Sequence, residues 1–388
     1  MKATTACTPT ATTRSSRLVL LDVLRGVAIL GTLATNVWVF AHPDGEYALV
    51  ADAGAIAPLA DSLAETVLRF LANGKFLAML TILFGVGLAI QHRSAVRRGE
   101  RWPGRYPRRA LLLFAEGTLH YLLIFAYDVL MGYAVTALLV AWLLGRSSRV
   151  RNAAMWLAGG VHLTLMLLGT AALLAAPASA STWTVDENLL RTDSYLNQVW
   201  IRLEHAGLLR AEPIFAFGLL VFLFLLGVRL FRAGAFAPDE RGRRLRRRLL
   251  WVGLAIGLPL NIASTVAGPD LVLVDRYVLP PLVTLGYLGL IGTILDRIAR
   301  PGPVSTSLAA LGRTALSGYV LQNLLCAILC YGWGVGLATS SLPRPWWVLG
   351  LWFTVSVALV VLARVWLRRF DHGPLEAVQR RLLASRSA

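Results

Sequence analysis

The sequence predicts an all-α protein, a polytopic transmembrane helix bundle of about ten spans with both termini cytoplasmic. Three observations predict it. Hydrophobic residues fill 56% of the 388 positions and charged residues only 15%, with a mean hydropathy of +0.63, far from a soluble globular chain. Ten apolar runs can be marked out, each roughly 17–25 residues long and so able to cross a hydrocarbon core. The basic residues gather in every second connection between those runs.

The spans run 18–41, 65–91, 109–126, 128–145, 152–175, 212–231, 249–267, 276–296, 313–338 and 346–367. A tight helical hairpin is expected at Tyr127 and Asp128. Segments 1–17, 92–109, 145–151, 229–248, 296–313 and 364–388 hold 30 of the 38 lysines and arginines. The alternate connections hold 7, and Arg25 lies inside the first span. That asymmetry assigns the arginine-rich segments to the cytoplasm. Residues 1–388 read as one integral membrane domain with cytoplasmic tails 1–17 and 368–388. Such a chain is expected in the bacterial cell (inner, plasma) membrane. Arg14 and Arg17 before an apolar run resemble a signal peptide, but this run is longer and carries Asp22 and Arg25, so it reads as a retained first helix.

The net charge of +17 does not point to nucleic acid, because the arginines sit in short clusters between spans rather than on one basic face. Arg241 to Arg248 places six arginines in eight residues, read as a topology signal in contact with anionic membrane lipids. Cys7, Cys326 and Cys330 lack metal-ligand spacing, and no metal is expected. Gly-rich nucleotide loops and nucleophile elbows are absent from the sequence. Outer segments 42–64 and 176–211 are too short for domains; Trp183 and Trp200 read as interfacial anchors. Ile82–Gln91 and Phe222–Arg232 share a faint similarity, explained by two helices obeying the same topological rules.

Polar residues inside spans need a reason, since each costs a few kcal/mol (about 2.5–3.5 for a charge at mid-membrane). At about 100° per residue, Arg25 and Asn36 lie roughly 60° and 40° from Asp22 on the first helix. The three share a face running roughly 21 Å. Asp22 and Arg25 can pair at i, i+3 near the cytoplasmic end; Asn36 lies in the outer half and needs another partner. On the third span, Arg109, Glu116 and His120 share a face. Glu116 and His120 at i, i+4 form the best general-base pair, with Asp128 a further acid at the same end. Lys75, one of two lysines among 36 arginines, reads as a point charge near the outer interface. The ninth span carries Arg313, Thr314, Ser317, Tyr319, Gln322 and Asn323. Its start at Gly312 and Arg313 suits an anion such as a phosphate or coenzyme. His162 reads as packing, and His92, His205 and His372 as surface groups. Gly253 and Gly257 permit close helix contact.

These segments resemble a known family. Leu21-Asp22-Val23-Leu24-Arg25-Gly26-Val27-Ala28-Ile29-Leu30-Gly31, with Asn36 following, resembles the opening of the YeiB-like bacterial membrane proteins, a family of unknown function. Gly74-Lys75-Phe76 with Leu83-Phe84-Gly85-Val86-Gly87 matches next. Arg109 through His120 to Asp128-Val129-Leu130, then Leu311 through Ser317, and finally Gly373-Pro374-Leu375-Glu376 complete the likeness in order along nearly the whole chain. That family is similar to the transmembrane acyltransferases of the heparan-alpha-glucosaminide N-acetyltransferase type. The resemblance implies transfer of an acyl group from cytosolic acyl-CoA, with acetyl-CoA the expected donor. The acceptor would be a small molecule or glycan, reached from the outer side. By the same resemblance Asn36 precedes a catalytic histidine, which puts His42, six residues on, beside His120 as a candidate base.

The expected mechanism is direct transfer. Arg25, Arg109 or Arg313, with Asp22 beside them, would hold the acyl-CoA phosphates. His120, oriented by Glu116, would deprotonate the acceptor hydroxyl or amine. Asn36 or Lys75 would stabilise the thioester oxyanion. The rival expectation is a proton-coupled transporter built on Asp22, Arg25, Glu116 and His120, with Pro259, Pro280 and Pro281 as helix breaks. A lipid-sensing or assembly factor is a third. A homodimer is a further expectation.

Overall fold

The apolar runs fold as helices, and among the described residues no strand occurs. The computed structural model describes residues 12–47, 62–175, 193–298, 300–340 and 342–384, with side chains from Val19 onward. Cys7, Asp52, Asp61, Trp183, Asp186 and Glu187 lie outside the described residues.

The first helices are α1 (Thr12–Phe40), α2 (Leu63–Ala72), α3 (Lys75–Arg97), α4 (Tyr106–Leu123), α5 (Leu130–Leu144), α6 (Ser148–Ala175) and α7 (Tyr195–Glu204). Then come α8 (Phe217–Ala233), α9 (Glu240–Trp251), α10 (Leu258–Val266), α11 (Val272–Tyr277) and α12 (Leu279–Arg297). The last are α13 (Pro303–Arg313), α14 (Ala315–Cys330), α15 (Trp346–Trp366) and α16 (Pro374–Ala384).

Six stretches are long and apolar enough to cross a membrane: Val19–Phe40, Leu63–Arg97, Ser148–Ala175, Glu240–Val266, Leu279–Arg297 and Trp346–Trp366. The pair α13 and α14, bent by 89° at Thr314, makes a seventh if taken as one span. The other expected spans coincide with the shorter helices α4, α5 and α8.

Local chemistry sets the helix ends. Ser62 caps α2 by accepting from the Glu65 amide at 3.1 Å, and Asp239 caps α9 by accepting from Gly242 at 2.8 Å. Gly74 separates α2 from α3 with φ +70, in the left-handed region that favours glycine. Pro280 and Pro281 sit in the first turn of α12, where the missing N–H costs nothing. Pro259 follows a π-helical segment, Val252–Gly257, that joins α9 to α10. Its missing N–H and its ring displace the normal ladder there.

Packing depends on backbones meeting where a side chain would not fit. α1 packs most extensively against α13. A Cβ on Gly26 would strike the Leu308 carbonyl, and one on Gly312 would strike the Asp22 carbonyl. Gly312 therefore serves close approach inside α13 rather than starting a ninth span. α3 and α8 cross reciprocally: Gly85 lies on the Phe224 carbonyl, and Gly227 on the Ile82 carbonyl. The two segments with faint mutual similarity are thus packing partners. Gly253 meets the backbone of Gly286 in the same way. Within the arginine run, Arg246 is buried and forks onto Asp296 at 2.6 and 3.0 Å. That residue pins α9 to α12, whereas Arg243, Arg244 and Arg247 stay exposed.

Candidate functional site

The hairpin between α4 and α5 is expected to be tight, and its unpaired carbonyls need donors. Two arginines supply them. Arg202 on α7 donates to the carbonyls of Leu122 at 2.9 Å and Ile124 at 3.2 Å. It also pairs with the buried Glu46 at 2.6 Å. Glu46 in turn accepts from the Ala126 amide at 2.7 Å. Arg210 donates to the Asp128 carbonyl at 2.7 Å. The turn so held presents Asp128, whose Oδ2 accepts from the Met131 amide at 3.0 Å and starts α5.

Asp128 faces His120. Its Oδ1 lies 3.1 Å from His120 Nδ1, an ion-pair distance whose angle falls short of a well-aligned hydrogen bond. Gly117, one turn before His120, leaves the space for it: a Cβ there would meet Asp128 Oδ2 and the Met131 amide. On the other edge of the ring, His120 Nε2 lies 3.1 Å from Asn323 Nδ2 on α14. Asn323 Oδ1 accepts from Asn36 Nδ2 on α1, also at 3.1 Å. The result is a relay, Asp128–His120–Asn323–Asn36, that runs from the α4–α5 turn across three helices, α4, α14 and α1. Its polarity is consistent from end to end. Asn323 donates to Nε2, so the ring proton belongs on Nδ1, toward the carboxylate. His120, Asp128 and Asn323 are all buried. Dry surroundings strengthen the two amide hydrogen bonds, His120–Asn323 and Asn323–Asn36.

Two cavities approach the relay. One, of about 120 Å³, has Thr32, Asn36, Asp128 and Tyr319 in its wall, with Glu212 and Arg276 farther round. There Arg276 pairs with Glu212 at 3.0 Å, and Tyr277 donates to the same carboxylate at 2.8 Å. The second, of about 350 Å³, is lined by Arg25, Arg109, Arg313, Gln91, Gln379 and again Tyr319. The three arginines expected to hold phosphates thus share one cavity, with Asp22 paired to Arg25 at 3.2 Å. A polyanion is the kind of ligand such a wall suits.

Several of these residues have contacts other than the expected ones. Glu116 does not orient His120; it accepts from Gln379 on α16 at 2.5 Å, and Asp128 takes that position. The i, i+4 spacing is right, but the imidazole turns toward α5 and α14 while the carboxylate reaches α16. Lys75 is buried and donates to the carbonyls of Phe70 at 2.6 Å and Asn73 at 3.4 Å. It closes the C-terminal end of α2, where orphan carbonyls attract a cation. His42 Nδ1 accepts from the Asp44 amide at 3.2 Å. Residues 374–384 are not a loose tail. They form α16, whose Glu376 accepts from the Leu316 amide at 2.9 Å and from Ser317 Oγ at 2.5 Å. A protein carboxylate therefore fills the anion position at the start of α14. Asn323 and Glu46 are among the site residues to which the sequence alone assigns no role. Asn323 stood out only as an amide in an apolar run.

Apolar spans, polar groups buried between them and two cavities meeting at one wall define a multi-pass helical membrane protein. The family described as "Protein of unknown function (DUF418)" matches residues 230–386. Over 390 residues the chain is 29% identical to "Uncharacterized protein YeiB" of Escherichia coli (strain K12), covering 94% of this chain and 96% of that one. It is 26% identical to "Uncharacterized protein YxaH" of Bacillus subtilis (strain 168), covering 94% of each chain. These matches support a YeiB-like family of unknown function for the chain. No solved structure matches it.

Proposed function

We propose that the protein is a transmembrane acyltransferase. It moves an acyl group from cytosolic acyl-CoA, with acetyl-CoA the simplest donor, to a hydroxyl or amine that enters from the other side of the bilayer. One observation carries the reading: the arginine-lined cavity and the Asn36 cavity meet at a single wall, beside a buried histidine with a carboxylate behind it. The proposal takes ten spans, both termini cytoplasmic, and the bacterial cell membrane as the location. The arginine-lined cavity then faces the cytosol, because Arg109, Arg313 and α16 belong to the arginine-rich segments.

Arg25, Arg109 and Arg313 hold the donor phosphates. The acceptor takes the place of the Asn323 amide at His120 Nε2. That nitrogen removes the acceptor proton, while Asp128 stabilises the resulting imidazolium. The acceptor oxygen or nitrogen bonds to the thioester carbonyl carbon, and the carbon–sulfur bond breaks. His120 returns its proton to the departing thiolate, releasing CoA as the thiol. Amide N–H groups of Asn36 and Asn323 stabilise the oxyanion. No covalent acyl-enzyme is required.

The test is incubation of purified protein with labelled acetyl-CoA, reading bound label and free CoA. Binding with acceptor-dependent CoA release supports the proposal; absence of CoA binding overturns it. Two cavities divided by one wall also suit a proton-coupled transporter. Substrate counterflow in proteoliposomes without CoA release would favour that reading.

A further inference from the structure

Tyr319 is part of both cavity walls, whereas His120 is part of neither. The Tyr319 ring lies over the imidazole, with centroids 5.1 Å apart and planes tilted by 35°. Tyr319 is 2% exposed and His120 also 2%. Tyr319 hangs from the second turn of α14, just past the 89° break at Thr314. Its hydroxyl takes part in one long bond, accepting from the Val129 amide at 3.4 Å. The ring lines one cavity of about 120 Å³ and another of about 350 Å³.

We infer that Tyr319 is a gate that separates the two cavities and shields His120 from both. In the state seen here the candidate base lines neither cavity. The hydroxyl is held by a long bond, and the larger cavity can receive the ring. A swing into that cavity opens His120 to the Asn36 side and joins the two spaces. Resting on the acyl-transfer reading, this makes Tyr319 a positioning residue. Donor and acceptor meet only when the ring turns aside, and water is kept from the base until then.

The shielding can be tested without any substrate. Diethyl pyrocarbonate acylates accessible neutral imidazole, and the modified histidines are read by mass spectrometry. In the wild type, His372, which lines the arginine-lined cavity, reacts at least about tenfold faster than His120. Tyr319→Ala and Tyr319→Leu raise the His120 rate about tenfold or more, while Tyr319→Phe, which keeps the ring, leaves it at the wild-type level. His162, buried on α6, stays unreactive throughout, which separates opening of this wall from general loosening. Equal rates for His120 and His372 in the wild type overturn the inference, with no variant needed. So does undiminished protection of His120 in a folded Tyr319→Ala or Tyr319→Leu protein, or a parallel rise at His162. The readout omits acetyl-CoA, so failure of acyl transfer leaves this inference standing, and an unshielded His120 leaves acyl transfer standing.

Discussion

Asn323 on α14 holds its amide nitrogen 3.1 Å from Nε2 of His120 on α4, across 203 residues of sequence. The same amide accepts from Asn36 on α1. One side chain thus ties three helices together and fixes the tautomer of the candidate base. Asn323→Ala should remove about 1–2 kcal/mol of helix association. It should also leave the imidazole free to turn. Unfolding in detergent checks the first effect, and acyl transfer from acetyl-CoA the second.

His120→Ala should lower acyl transfer by about 10²–10⁴-fold with normal protein yield. Asp128→Asn should fall in the same range, because an amide neither holds the proton on Nδ1 nor stabilises the imidazolium. Initial rates of CoA release decide both. Retained activity in His120→Ala would remove the histidine as base.

Glu116→Gln should keep transfer within about threefold of wild type, since its partner is Gln379 and a single hydrogen bond remains available. A loss as large as that of His120→Ala would return Glu116 to the role of orienting acid. The ratio of the two kcat/KM values is the measurement.

Arg109→Gln and Arg313→Gln should each raise the KM for acetyl-CoA about tenfold, the scale of one charge-assisted hydrogen bond. The kcat should move little, because neither side chain touches the relay. Raising salt should weaken donor binding in the wild type and do so less in the variants.

Gly312→Ala should destabilise the protein by about 1–3 kcal/mol, because a methyl group there is driven into the Asp22 carbonyl. A lowered melting temperature in detergent is expected, together with weaker donor binding as Asp22 and Arg25 shift. Gly160→Ala, where nothing lies within 4 Å of the new carbon, should be neutral and serves as the control.

Much of this was readable along the chain. The helix positions follow from apolar runs of fixed length, and the Asp22–Arg25 pair follows from its spacing on one helix. His120, Asp128 and Asn36 stood out because polar groups in apolar runs need partners. Their partners were less legible. Helical periodicity reports only neighbours within one helix, so it favoured Glu116 for His120 over Asp128, eight residues away and past the helix end. The pairing of Glu46 with Arg202, 156 residues apart, has no local signature at all.

Residues 372–384 mark the same limit. Their composition reads as a basic tail, and nothing local says that Glu376 will sit on the start of α14. The sequence by itself determined a helical membrane protein, its apolar spans and the polar residues that demand an explanation, since these follow from the cost of exposing polar groups to hydrocarbon. Only the tertiary structure decided which polar residue answers which. Helix crossings set by glycine contacts, such as Gly312 on Asp22, bring side chains hundreds of residues apart within 3 Å or so of each other.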